Sequence, residues 1–190
     1  LKKYLNDNKF KTGEAQQLRL AFESVTGQDL NWYWNQWYYG SVHPILDIRY
    51  DFYDVKGLQT VIVEQKQTTS KVFTLPVAVD VYNGANNTRY HVWVKNKIDT
   101  FTFKYTQRPT LVNFDADKIL LAEKTDHKTA DNFREQLKYA PLYMDRREAL
   151  NYFAKKAHRL IFLVIRKTKY RTTTNFYKKK YSYLNNLWFL

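Results

Sequence analysis

Apolar side chains recur at helical spacing over residues 1–39. Gly27 and Asp29 separate two such runs, because glycine favours the position just past a helix end and aspartate can cap the next helix. The pattern therefore predicts two helices joined by a short link, the second ending near Gly40. Their apolar stripes, spaced i, i+3, i+4 and i+7, are Leu18, Ala21, Phe22 and Val25 in the first and Leu30, Tyr33, Trp34 and Trp37 in the second.

From Ile45 onward the hydrophobic period changes to two, which is typical of half-buried strands. Phe73, Leu75, Val77 and Val79 belong to the longest alternation and are the expected core. Turn signals recur roughly every ten residues, a spacing that predicts an antiparallel sandwich. About seven strands are expected, near residues 45–53, 61–63, 73–81, 90–94, 98–105, 111–114 and 118–121.

Helical character returns after the last predicted strand. Thr129 can cap a helix that runs through Phe133, and Pro141 ends it. Residues 145–148, Asp-Arg-Arg-Glu, fit a capping box at the start of a further helix. The expected fold class is therefore mixed and mainly β, a sandwich flanked by α-helices at both ends.

Positive charge is concentrated at one end of the chain. The formal net charge is +13, yet eight of the 31 Lys and Arg residues and none of the 18 acidic residues fall within residues 159–190. Nucleic acid is therefore not the expected partner. The longest apolar run, Leu160–Ile165, is far shorter than the roughly 20 residues of a membrane-spanning helix, so no membrane contact is expected.

Residues 28–48 read Gln-Asp-Leu-Asn-Trp-Tyr-Trp-Asn-Gln-Trp-Tyr-Tyr-Gly-Ser-Val-His-Pro-Ile-Leu-Asp-Ile. This stretch resembles the end of the catalytic domain in the aminopeptidase N family of zinc metallopeptidases. In that family a G-x-D-L … W … G-x-P-x-L pattern with an aromatic-rich helix leads into an immunoglobulin-like sandwich. The similarity continues through residues 71–83, 112–126 and 145–150 and covers about residues 1–158.

The resemblance implies a division of the chain into segments. Residues 1–43 would be the C-terminal helices of a catalytic domain, residues 44–121 the immunoglobulin-like β-sandwich, and residues 122–158 the first helices of a helical-repeat domain. Residues 159–190 form an atypical basic tail with no assigned function. The implied partners are the upstream catalytic domain and the downstream helical domain of the same enzyme, with peptide substrate bound only by the intact enzyme.

The chemistry of the family depends on motifs that this sequence lacks. There, an H-E-x-x-H helix and a later Glu bind zinc, and a G-x-M-E-N loop holds the free amine of the substrate. The histidines of this chain, no two within five residues of each other, are His43, His91, His127 and His158. We therefore assign no catalytic, cofactor-binding or metal-binding residue. Zinc is expected only in the intact enzyme, and the chain alone is predicted to be inactive.

One position departs from the family pattern in a way that bears on the backbone. The family prefers Gly before its His-Pro pair, and this chain has Val42 there. A β-branched residue would be strained by about 1–3 kcal/mol if the turn needs a positive φ. The neighbouring His43 is expected to be a packed or capping residue at the domain junction and not a ligand.

Several clusters could carry a function but are expected to be structural. The aromatic residues of the second helix could form a stacking platform, although their spacing favours packing at a junction. Alternating aspartates could bind a metal but are more typical of a turn. The clusters are Trp32, Trp34, Trp37, Tyr38 and Tyr39; Asp115, Asp117, Asp126 and His127; a glycosylation sequon at Asn86–Thr88, expected to be an ordinary loop; and Lys178–Lys180, expected to be a solvated tail.

These observations lead to two hypotheses from different classes. The first is a non-catalytic downstream segment of a zinc aminopeptidase that acts as an interdomain scaffold, with Leu30, Trp34 and Trp37 at the junction. The alternative is a free-standing β-sandwich that binds glycan or nucleic acid. An exposed aromatic patch or a salt-dependent affinity would favour the alternative.

Overall fold

The computed structural model describes residues 1–169, with side chains described through residue 157. The chain divides into two compact units, Leu1–Lys128 and the residues from Thr129 onward. Within the described residues, no helix combines the length and apolar character needed to cross a membrane.

The first unit begins with three helices. They are α1 (Lys2–Asp7), α2 (Ala15–Thr26) and α3 (Asn31–Tyr33), the last continued by a π-helical turn at Trp34–Tyr38. Gly27 ends α2 with a φ of +69°, as predicted. Asp29 Oδ1 accepts a hydrogen bond from the Asn31 amide at 2.8 Å, next to the start of α3. The second predicted helix is therefore present, but its C-terminal part, Trp34–Tyr38, is π-helical and not α-helical.

Within the described residues, seven strands form two sheets that pack as a sandwich, which confirms the predicted fold class. The strands are β1 (Ile45–Tyr53), β2 (Leu58–Gln65), β3 (Leu75–Asn83), β4 (Asn86–Val94), β5 (Ile98–Lys104), β6 (Leu111–Phe114) and β7 (Glu123–Asp126). One sheet has the order β5-β2-β1-β7 and the other the order β4-β3-β6. All pairings are antiparallel except that of β7 with β1, which is parallel.

The strand predicted at residues 118–121 is wrong, because the chain turns there. Asp115 and Lys118 have positive φ angles of 55° and 54°, and the Lys118 amide donates to the Asp115 carbonyl at 2.9 Å. The Asp115 carboxylate also accepts the amides of Ile119 and Leu120 at 3.2 and 3.4 Å. These amides would otherwise donate to a neighbouring strand, so the last strand forms later, as β7.

The core lies between the two sheets and contains the four residues predicted for it. Phe73, Leu75, Val77 and Val79 are all buried. Burial of each such side chain contributes about 1.5–3 kcal/mol. The remaining members of the cluster are Leu46, Ile48, Val61, Val63, Val94, Phe103, Val112 and Phe114.

The second unit begins with two consecutive helices, α4 (Ala130–Tyr139) and α5 (Tyr143–Lys169). Thr129 caps α4 as predicted, accepting the Asn132 amide at 3.2 Å. The capping box predicted at residues 145–148 is wrong. Helix α5 starts two residues earlier, so Asp145 lies inside its first turn, where it is buried and its carbonyl accepts Nε2 of Gln136 at 2.9 Å.

Candidate functional site

The aromatic residues of the π-helical turn attach the N-terminal helices to the sandwich. Trp34 is buried and lies 6.1 Å from Phe22 of α2, ring centre to ring centre. Trp37 is half-buried, and its ring lies 5.4 Å from that of the core residue Phe73. Packing is thus confirmed for these two rings, whereas Tyr38 is exposed.

Gln36 completes this attachment, and sequence reasoning did not find it. Its side-chain amide accepts the backbone N–H of Thr74 at 2.7 Å and donates to the Thr74 carbonyl at 3.0 Å. Lys71 Nζ donates to the Gln36 carbonyl at 2.9 Å. Gln36 lies in the last turn of this helix, where backbone carbonyls lack an intrahelical partner, and Lys71 supplies one. Only the position of Gln36 between Trp34 and Trp37 could have drawn attention to it.

An apolar groove of about 360 Å³ lies beside this attachment. Trp32 and Tyr33 form one part of its lining, and the loop of residues 119–121 forms another. Trp32 also meets Trp93 of β4 edge to face, with ring centres 5.7 Å apart. Ile119 and Leu121 leave 71% and 74% of their surface exposed. Large exposed apolar patches of this kind mark interaction surfaces.

The N-terminal helices expose further apolar side chains. In the stripe predicted for α2, only Ala21 is buried, and Val25 is 69% exposed. An amphipathic helix normally turns its apolar stripe toward a partner. The exposed large hydrophobic residues of this segment are Leu1, Leu5, Phe10, Leu20, Val25, Tyr33, Tyr38 and Tyr39. The segment thus presents an apolar surface that the sandwich does not cover.

The turn before β1 contains Val42 and His43. Val42 has a φ of +68°. This is the positive φ at which a β-branched residue is expected to be strained. His43, expected to be a packed or capping residue, is not packed, because its side chain is half exposed. Its Nε2 lies 2.8 Å from Oε1 of Glu123 at the start of β7.

The acidic residues proposed as an alternative metal cluster are instead distributed among separate ion pairs. Asp115 pairs with Lys124 at 2.6 Å, Asp117 with Arg89 at 2.7 Å, and Asp126 with Lys128 at 2.9 Å. His127 Nε2 lies 2.9 Å from Asp47 Oδ2. Within the residues that the structure describes, no three His, Asp or Glu side chains are placed to hold a metal ion together.

Two of these networks shift the ionisation of their members. The hydrogen bond from His127 is the largest cause that lowers the pKa of Asp47, with Arg49 and Lys66 adding to it. Arg89 donates to both carboxylate oxygens of the buried Asp80, at 2.7 and 2.9 Å. This bidentate bond raises the pKa of Arg89 and fixes the ion pair on the outer face of β3.

A second, more polar cleft of about 530 Å³ lies where β3 and β4 meet the loops that follow β5. Tyr82, Tyr90 and Tyr105 contribute to its lining, together with Lys56 and Lys104. The sequon residues Asn86–Thr88 also border it and are exposed at the start of β4, directly after the hairpin turn and not in a loop. The basic run Lys178–Lys180 lies outside the described residues.

Comparison with known proteins gives a structural match. No family model and no curated protein matches the sequence. The fold is similar to part of the crystal structure of Legionella pneumophila aminopeptidase A in complex with aspartic acid, with a TM-score of 0.65 and 13% sequence identity. The match covers 90% of this chain and 19% of that chain, so this chain spans about a fifth of its length. At 13% identity the similarity concerns the fold alone.

Proposed function

We propose that this chain is the scaffold segment of a zinc aminopeptidase of the aminopeptidase N family. In the proposal, residues upstream of this segment supply the zinc ligands and the substrate site. The helices of residues 1–39 belong to that catalytic domain, and the sandwich holds it in place relative to the helical domain downstream. The observation that carries the proposal is the uncovered apolar surface of residues 1–39. The helices that form this surface are attached to the sandwich through the π-helical turn.

The energetics of this surface support a missing neighbour. Phe10, Leu20 and Val25 are exposed in the present chain, and burying a large apolar side chain contributes about 1.5–3 kcal/mol. A catalytic domain packed against these side chains would gain several such contributions. A free-standing module has no comparable use for large apolar side chains directed to solvent.

The attachment itself suits a scaffold. Three independent contacts join the π-helical turn to the sandwich: the paired amide of Gln36, the Lys71 bond and the Trp37 ring on Phe73. Helices held in this way cannot swing freely against the sheets. A domain that packs on α2 would therefore be held in a defined orientation, which is the role proposed for the sandwich.

The similarity to the Legionella enzyme supports the same assignment at the level of fold. Nearly all of this chain is matched, and it corresponds to a small part of a longer peptidase. The order of helices, sandwich and helices is also the order implied by the resemblance of residues 28–48.

The proposal is tested on the polypeptide extended upstream through its adjoining coding sequence. We expect an in-frame H-E-x-x-H motif there, and hydrolysis of an aminoacyl p-nitroanilide by the extended protein. A chelator should abolish this activity and added zinc should restore it. The 190-residue chain serves as the control without activity. Chelator-sensitive turnover by the 190-residue chain, or the lack of a zinc motif upstream, would contradict the proposal.

The alternative, a glycan-binding sandwich, draws its support from the polar cleft. Tyrosine rings beside amide and lysine side chains are a combination that can stack on a sugar and bond its hydroxyl groups. Isothermal titration of the purified chain with neutral and acidic oligosaccharides tests it. Saturable binding that Tyr105→Ala abolishes would favour this alternative over the scaffold.

A further inference from the structure

The hairpin between β3 and β4 contains the dipeptide Asn83-Gly84. Of the five glycines in the sequence, only Gly84 follows an asparagine. Asn83 is the last residue of β3, and Gly84 and Ala85 form the two-residue loop before β4 begins at Asn86. Gly84 has a φ of +60°, a conformation that such loops require and that glycine adopts at no steric cost. The fold therefore favours glycine directly after this asparagine.

An asparagine followed by glycine can lose its side-chain amide without an enzyme. The backbone nitrogen of the glycine attacks Cγ of the asparagine, and the bond from Cγ to the side-chain nitrogen breaks. Ammonia leaves with the proton of the glycine amide, and a succinimide ring remains. Water then adds to one of the two ring carbonyl carbons and breaks its bond to the ring nitrogen, which gives aspartate or isoaspartate. Water is the only co-reactant, and glycine favours the attack because it has no Cβ to hinder its nitrogen.

Two hydrogen bonds from the segment after β5 hold the reacting groups. Asn83 Nδ2 donates to Gln107 Oε1 at 2.9 Å, and both side chains are exposed. The Gly84 amide, which is the nucleophile, donates to the Thr110 hydroxyl at 3.2 Å. This hydroxyl donates in turn to the Tyr82 carbonyl at 3.4 Å, and the Thr110 amide donates to the same carbonyl at 2.9 Å. The nucleophile is thus bonded to a residue that is itself fixed on β3.

The strand conformation of Asn83 also opposes ring closure. Asn83 pairs with Asn86 across the hairpin and belongs to β3, so its backbone is extended. Closure of the succinimide requires the peptide plane between Asn83 and Gly84 to rotate toward the side chain and out of the extended conformation. The Gly84 bond to Thr110 must break in the same movement. Ends of hairpins open more readily than the centres of sheets, so this movement needs only local opening.

We propose that Asn83 is a site of spontaneous deamidation and that the Thr110 hydroxyl slows the reaction by holding the Gly84 amide. The residue is converted while the sandwich stays folded, at a rate set by opening of the hairpin end. This inference does not depend on the proposed function.

The reaction has a consequence for the polar cleft, because Asn83 belongs to its lining. The charged residues of that lining are Lys56 and Lys104, so the product adds a carboxylate to a lining that carries only positive charge. The carboxylate has no N–H to donate to Gln107 Oε1. Isoaspartate also adds one methylene to the main chain at the turn.

Incubation of the 190-residue chain at pH 8 and 37 °C, followed by peptide mass spectrometry, tests the site. The measured quantity is the rate at which residue 83 becomes aspartate or isoaspartate. Thr110→Val removes the hydroxyl and keeps the shape of the side chain. We expect conversion about three- to tenfold faster in this variant than in the wild type, because one hydrogen bond on the nucleophile is lost. Thr110→Ser keeps the hydroxyl and should react at the wild-type rate.

Two references accompany these proteins. Asn86 and Asn87 lie in the same hairpin and are exposed, but the residues that follow them carry a Cβ, so both should stay unmodified while Asn83 reacts. A synthetic peptide of residues 79–88 has the same sequence without the sandwich, and an isolated hairpin is at best marginally stable. Asn83 should react at least about tenfold faster in the peptide than in the wild-type chain.

Hydrogen exchange of the β2 amides distinguishes local opening from a general loss of stability, and equal protection is expected in all three proteins. If Thr110→Val loses protection in β2, Gln107→Ala replaces it. That variant removes only the exposed bond to Asn83 and should accelerate conversion about twofold.

Three results would overturn the proposal. Conversion as fast in the wild type as in the peptide would mean that the fold does not hold the reacting groups. Equal rates in the wild type and Thr110→Val, or an equally large acceleration in Thr110→Ser, would remove the role given to the hydroxyl. Conversion in the peptide but in none of the folded proteins would remove the site itself.

Discussion

Val42 has its backbone in the left-handed region, with a φ of +68°, in the turn that leads into β1. Its side chain is about half exposed, so packing compensates for this conformation only in part. The cost of such a conformation is about 1–3 kcal/mol for a β-branched residue. The sequence predicts strain at this position if φ is positive, and the structure has that positive φ.

Replacing Val42 by glycine should stabilise the protein. Relief of the strain is partly offset by the greater backbone entropy of glycine when unfolded, which leaves a gain of about 1 kcal/mol in the free energy of unfolding. Urea denaturation measures the difference. Val55→Gly is the matched control, because Val55 is fully exposed in a 3₁₀ turn without a positive φ, and it should not be stabilised. A less stable Val42→Gly protein would show that another contact holds the turn.

Gln36 is the second residue whose replacement is expected to change the free energy of unfolding strongly. Gln36→Ala removes both partners of the Thr74 backbone, whose N–H and C=O are then left in a partly buried site. We expect the free energy of unfolding to fall by about 2 kcal/mol. Asn35→Ala, one position earlier and exposed, should change it by less than about 0.5 kcal/mol. Similar losses for the two variants in denaturant titrations would contradict the role given to the Gln36 amide.

At the scale of elements, the π-helical turn determines which aromatic rings face the sandwich. Trp37→Ala should destabilise the protein by about 2–4 kcal/mol, somewhat less than for a fully buried tryptophan, because its ring is half-buried against Phe73. Tyr38→Ala, in the same turn but 60% exposed, should cost under about 1 kcal/mol. Thermal unfolding of both variants distinguishes the two faces. A larger loss of stability for Tyr38→Ala than for Trp37→Ala would mean that Tyr38, and not Trp37, faces the sandwich.

The elements also show what the sequence could and could not predict. The alternation from Phe73 onward gave the central strand, because a strand buried on one face must carry apolar residues at every second position. The strand β7 escaped prediction because Glu-Lys-Thr-Asp has no apolar period. Its pairing rests on backbone bonds to β1 and on two side-chain contacts, His43–Glu123 and His127–Asp47. The π-helical turn escaped for a different reason: a spacing of three and four residues fits both kinds of helix.

At the scale of the whole molecule, the first compact unit exposes two groups of large apolar side chains. Trp32, Tyr33, Ile119 and Leu121 border one groove. Leu20 and Val25 of α2 are exposed as well. The resemblance implies that the catalytic residues lie outside this chain. The apolar surface, in contrast, became visible only in the structure, because the spacing of Leu18, Ala21, Phe22 and Val25 reveals a stripe without revealing what covers it.

This surface should bind a hydrophobic dye. We expect the native chain to enhance the fluorescence of anilinonaphthalene sulfonate, and Ile119→Ser/Leu121→Ser to reduce the enhancement by about half, because these two side chains form much of the groove rim. Val55→Ser removes an exposed apolar side chain that is not part of the groove lining and should leave the signal unchanged. Unchanged fluorescence in the double variant would show that the groove does not take up the dye.

Gly40 ends the π-helical turn at a point where no larger residue fits. A Cβ at this position would collide with the carbonyl oxygen of Gln36 and with Nζ of Lys71, the two atoms whose bond secures the helices to the sandwich. The consequence is evolutionary. Among natural variants, position 40 is expected to remain glycine whatever residue occupies position 36, because the colliding atom of Gln36 belongs to the backbone. Replacing Lys71 would remove only the other collision.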